Sequence, residues 1–146
     1  AAHSPVFGSM CHHNMMESRQ NRVVIPNCSP GAFEVLIKWM YLEEVDEIHQ
    51  VPYELFTVAD KYDMNELKKI CERSISLRLS ANEAIKILRF ADIHRATCLR
   101  KKSLEFIKLN ASEVFASEDW PSLINDPRLV GRVLRELASF MKAVLG

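Results

Sequence analysis

Glycine is scarce in this sequence, at 4 of 146 residues. No Gly-rich phosphate loop, dinucleotide fingerprint or G-x-S-x-G elbow can be built from them, which removes the common nucleotide-dependent and serine-hydrolase designs. An excess of either charge is also missing, since 19 Lys and Arg balance 19 Asp and Glu. A nucleic-acid binder usually carries a basic surplus or stripe, so no nucleic-acid partner is expected. Nor is there an apolar run near the roughly 18–20 residues that a membrane span needs. The densest stretches, Phe33–Leu42 and Leu134–Leu145, are interrupted by charge. No secretory signal pattern opens the chain. The first residue is Ala1, and the chain is expected to be a piece of a longer protein. The four cysteines, Cys11, Cys28, Cys71 and Cys98, form no C-x-x-C pair. Cys71 and Cys98 fall inside helical patterns and read as buried thiols. That usage points to a reducing intracellular compartment, nucleus or cytoplasm.

What the sequence does have is apolar periodicity. Hydrophobic residues make up 48% of the chain, enough for a packed core. Most of the spacing is helical. Ser4-Pro5 and Ser29-Pro30 each place a capping hydroxyl before a proline whose missing N–H costs nothing at a helix start. Phe33, Leu36, Ile37, Met40 and Tyr41 continue the second of these. Val51 to Lys61 predicts another helix, and Met64 through Leu79 the next. Ser80 and Glu83 form a capping box ahead of Ile85, Leu88 and Ala91. Arg95 to Leu109 predicts a further helix, and Asn110 or Ser112 caps a short one through Phe115. Trp120-Pro121 marks a turn, and Asp126-Pro127 opens a last helix with Leu129, Val130, Val133, Leu134 and Leu137 inside. The count is about eight helices with short connections, a stack of antiparallel pairs.

Val23–Ile25 reads as a strand, with Val45–Ile48 as a weak second candidate. A lone strand is unstable, so a partner sheet is expected from residues not in this chain.

Candidate chemistry is thin. Cys11, His12 and His13 are adjacent, but neighbours on a helix point about 100° apart and do not close easily on one ion. His94 and Cys98 lie four apart, which suggests a base and a thiol, yet no glycine loop accompanies them and a packing role is the simpler reading. Arg100, Lys101 and Lys102 read as a solvated face. Trp39 and Trp120 read as core or interface anchors. Phe7, Met10, Met15 and Met16 exceed what one small helix face can bury, and adaptable Met-rich surfaces often bind partner helices. The expectation is no catalytic residue, no metal and no cofactor.

The order of residues resembles the BTB/POZ family. The resemblance runs through His3-Ser4-Pro5-Val6-Phe7, Met10, Met15 and Glu17-Ser18, then Asn21-Arg22-Val23, Pro30, Phe33 and Met40-Tyr41. It continues with Ala59-Asp60-Lys61-Tyr62, Leu67-Lys68, Cys71-Glu72, Asn82-Glu83-Ala84, Ala91-Asp92 and His94. Phe106-Ile107, Trp120, Pro127, Leu129-Val130 and Leu137-Ala138-Ser139 complete it. This order is similar to the speckle-type POZ protein family in particular. The implied fold is mainly α: a truncated BTB/POZ α/β fold over residues 1–79, then a C-terminal helical bundle over 80–146.

The resemblance also implies a role. Such proteins adapt substrates to a cullin-3 ubiquitin ligase through the BTB domain and the helix pair after it, here Ala81 to Ile107. They hold substrates through a separate MATH domain and self-associate. The cullin-contact motif is an apolar residue, any residue, then glutamate; here it falls on Met10, Cys11 and His12, so histidine replaces the carboxylate. Tyr62 matches a further cullin contact. Leu109, Val114, Leu129 and Val133 lie on the helices implied in self-association. An oligomerisation or transcription-associated scaffold without ligase recruitment is the second reading, and His12 favours it.

Overall fold

The computed structural model describes residues 28–43 and 45–146. The expected helix at Ser4-Pro5 and the strand at Val23–Ile25 lie outside them. The fold is mainly α, and every regular element among the described residues is helical. The chain divides into two compact units, one ending at Ile75 and one starting at Ser76.

In the first unit, helix α1 spans Pro30–Leu42. Ser29 Oγ accepts from the Ala32 amide at 3.2 Å, which satisfies one of the free N–H groups of the first turn. Glu54 holds this cap from outside, accepting from the Ser29 amide at 3.1 Å and from its hydroxyl at 2.8 Å. Glu43 closes the helix in the left-handed conformation, φ 54°. The segment Val45–Ile48, expected as a weak strand, is instead part of a 3-10 helix over Asp46–Gln50. Its i to i+3 bonds run from Ile48 N–H to Val45 O and from Val51 N–H to Ile48 O, both 3.1 Å. Ile48 alone turns inward and is fully buried, while Val45 is exposed, so one anchor and an acidic start suit a tight turn better than a pleat.

Helix α2, Pro52–Lys61, buries Leu55, Phe56, Val58 and Ala59. Helix α3, Asn65–Ser76, buries Leu67, Cys71, Ser74 and Ile75. Trp39 is buried as well, a core anchor. The buried Ser74 hydroxyl is satisfied by His49 Nδ1 at 2.6 Å. Leu79, expected to continue α3, lies beyond its end and packs against the core of the second unit.

The second unit starts with a turn held by Ser80. Its Oγ accepts from the Glu83 amide at 3.2 Å, so the cap half of the expected box is present one turn ahead of helix α4, Ala84–Ile93. Arg95, at φ 54°, turns the chain into helix α5, Thr97–Leu109. A three-residue connection forces α4 and α5 to run antiparallel, and they pack together more extensively than any other pair of described elements. Helix α6, Ala111–Phe115, follows at once. Asn110 precedes it, but its side-chain amide donates back to Phe106 O at 3.0 Å rather than capping α6. Trp120-Pro121 opens a second 3-10 helix, Trp120–Asn125, and the Trp120 ring lies 4.3 Å from that of Phe115.

Helix α7 spans Pro127–Leu145, with Asp126 Oδ1 accepting from the Leu129 amide at 3.2 Å. The core of this unit gathers Ala84, Ile85, Leu88, Leu104, Ile107, Val114, Leu123, Leu129 and Val133. Of the five α7 residues expected inside, Leu129 and Val133 are fully buried, and Val130 and Leu137 are partly so. Leu134 is 53% exposed, because residues 129 and 133 fix the inward direction and 134 falls about 100° away from 133.

Candidate interaction surface

Met10, Cys11 and His12 lie outside the described residues, as do Phe7, His13, Met15 and Met16. Tyr62 is described. It terminates α2, with its N–H directed to Val58 O and Asp60 O, and is partly exposed. The Lys61 ammonium sits 5.5 Å from the centre of its ring, a cation–π contact that places a positive charge beside the phenol. Lys68 pairs with Asp60 at 2.8 Å on the same stretch and lies 5.8 Å from the Phe56 ring centre. The end of α2 therefore offers an aromatic side chain set among charges. Such a surface can grip another protein but carries no poised nucleophile.

The four residues implied in self-association separate into two kinds. Leu109 is 61% exposed. Val114, Leu129 and Val133 are wholly buried in the core of their own unit, so they cannot themselves touch a partner in this conformation. Leu129 and Val133 were expected inside their helix, and all three support the helices from within. The exposed apolar side chains of α7 are Leu134, Met141, Val144 and Leu145, with Ile124 on the 3-10 helix before it. Trp120, Leu123, Ile124, Pro127, Val130 and Leu134 line a shallow apolar recess at the start of this face. Sequence periodicity contained the signal, since α7 has more apolar positions than one inward stripe can bury.

Two of the described thiols are held in the protonated form. Burial, with Glu72 nearby, pushes the Cys71 thiol up to about 12. Cys28 is pushed up to about 11 by burial and by Glu54. Both are therefore protonated near neutrality and poor nucleophiles. Cys98, expected to be buried, is exposed on α5. His94 ends α4 and its ring stacks on Phe90 at 4.3 Å, while the left-handed Arg95 separates it from the helix that carries Cys98. The two do not share a helix face. Among the described residues no three His, Cys, Asp or Glu side chains gather where they could hold a metal ion. No described helix is long and apolar enough to cross a membrane.

Residues 1–79 match the family model for the BTB/POZ domain. TD and POZ domain-containing protein 1 of Mus musculus is 34% identical over 142 residues, covering 95% of this chain and 39% of that protein. TD and POZ domain-containing protein 4, also from Mus musculus, is 34% identical over 142 residues, 95% of this chain and 38% of the relative. The chain thus spans about two fifths of the length of the relatives it matches. With a match over more than half its length, this chain belongs to the BTB/POZ domain family, whose members are protein-interaction modules.

Proposed function

We propose that the chain is the BTB/POZ part of a substrate adaptor for a cullin-3 RING ubiquitin ligase, of the speckle-type POZ kind. The observation that carries this is the succession of a BTB/POZ match over residues 1–79 and a tightly packed antiparallel pair, α4 and α5, in the region where the resemblance requires the cullin-binding helix pair. Tyr62 is partly exposed at the end of α2, as a contact residue must be. Met10 supplies the apolar anchor of the cullin motif, and His12 stands where the carboxylate would be. An adaptor makes and breaks no bonds; it raises the concentration of substrate near the ligase, and a second copy adds avidity. Substrates bind through a further domain, and the relatives, named for a TD as well as a POZ domain, are long enough to hold one. A pull-down with the cullin-3 N-terminal domain tests the reading. Capture by the chain, reduced at least tenfold by Tyr62→Ala, supports it; no capture with Met10 intact overturns it.

A second reading, a self-associating scaffold without ligase recruitment, is favoured by the free apolar face of α7. That face places Leu134 and Met141 seven residues apart, two helical turns along one side. On this reading the dimer forms through α7, and light scattering detects it.

A further inference from the structure

A groove of about 680 Å³ runs along the outer side of α5 in the second unit. Phe106 and Leu109 form one wall, and Leu77 and Leu79, from the connection before α4, form the other. Leu77 is 72% exposed and Leu109 61%, so the apolar floor meets solvent. Lys101 and Lys102 stand on the rim, both exposed and neither ion-paired with a described residue. The one acidic rim residue, Glu105, is already paired with Lys108 at 2.8 Å. At the far end Asn110 donates its side-chain nitrogen to Phe106 O at 3.0 Å. That bond turns its amide oxygen the other way, where no described group donates to it.

We propose that this groove docks a short segment of a partner protein in which leucine-like side chains alternate with carboxylates. The volume suits two or three apolar side chains. The two free ammonium groups select negative charge beside them. The Asn110 oxygen can accept one N–H from the segment's backbone. A second copy of this chain is a poor occupant, because matching grooves would set Lys101 and Lys102 against themselves. A polyanion without apolar side chains leaves Leu77 and Leu109 in water. Lys101, Lys102 and Phe106 lie on α5, one of the two helices proposed above for cullin binding, but the groove is argued from its own lining and does not depend on that reading.

The probe is a fluorescein-labelled twelve-residue peptide of alternating leucine pairs and glutamates, titrated against the 146-residue chain by fluorescence anisotropy. A control peptide carries lysine in place of every glutamate. The glutamate peptide is expected to bind at least tenfold more tightly than the lysine peptide, and to weaken as salt rises. Lys101→Glu/Lys102→Glu is expected to reverse the preference, and Leu77→Asp to weaken both peptides at least tenfold. These side chains are exposed, and the two-peptide comparison on the unaltered chain requires no variant. Equal binding of the two peptides, or no binding of either at millimolar concentration, overturns the proposal. So does light scattering that shows a dimer dissociated by Leu77→Asp, since a second copy would then fill the groove.

Discussion

The Arg128 guanidinium in the first turn of α7 grips the Asp92 carboxylate in the last turn of α4 with two arms, Nη1 donating to Oδ1 at 3.3 Å and Nη2 to Oδ2. The partners are unequal: the Asp92 side chain is 8% accessible and that of Arg128 62%. The bond to Asp92, with the charge behind it, raises the guanidinium pKa further above its ordinary value, so the cation persists at any pH the fold survives. Removing the arginine leaves a nearly buried carboxylate without its partner, which costs more than removing both charges. Arg128→Gln is therefore expected to lower the denaturation midpoint, and the double variant Asp92→Asn/Arg128→Gln to recover part of the loss. Urea titrations of the two variants check this; a double variant less stable than Arg128→Gln counts against it.

Leu129 and Leu134 lie on the same helix but do different work. Leu129 is fully buried, so Leu129→Ala is expected to cost about 2–5 kcal/mol through lost burial and the cavity left behind. Leu134 is more than half exposed, so Leu134→Asp should change stability by no more than about 0.5 kcal/mol. If α7 carries self-association, Leu134→Asp yields monomers by light scattering while its urea midpoint stays near that of the parent.

The thiols separate by reactivity. Iodoacetamide at neutral pH is expected to label exposed Cys98 quickly and Cys71 only on unfolding, as read by peptide mass spectrometry.

Cys71 also contributes to pH dependence. Its unfolded thiol ionises near 9.0, whereas the folded one holds its proton to about 12. Between those values the unfolded state binds fewer protons, so stability falls as pH rises. One such group contributes a slope of roughly 1.4 kcal/mol per pH unit. Cys71→Ala is expected to be less stable at neutral pH but to lose stability more slowly above pH 9.

Arg95 occupies a left-handed conformation that suits glycine better, and its side chain is exposed. Arg95→Gly removes the steric cost but loosens the unfolded chain. A net gain of about 0.5–1 kcal/mol is expected, measured as a rise in urea midpoint.

Much of the helical frame was legible because its signals are local. Ser29-Pro30 and Asp126-Pro127 announce helix starts through a capping oxygen and a proline, and both oxygens accept the bonds that spacing predicts. The misreadings come from tertiary context. Val45–Ile48 carries β-branched residues, but only Ile48 finds a core to enter. Cys98 fits a helix pattern, yet the turn at Arg95 sets which side of α5 faces inward. The groove was half visible: Lys101 and Lys102 stood out as a basic cluster, but their apolar partners Leu77 and Leu79 come from about 25 residues earlier. No local pattern links the two.

The most direct test of the adaptor account is a calorimetric titration of the cullin-3 N-terminal domain with this chain and with its His12→Glu variant. The account predicts a one-to-one complex for the parent chain and binding about tenfold tighter or more for the variant, as a restored charge-assisted hydrogen bond requires. Absence of binding by both chains would contradict the account and leave the self-associating scaffold in its place.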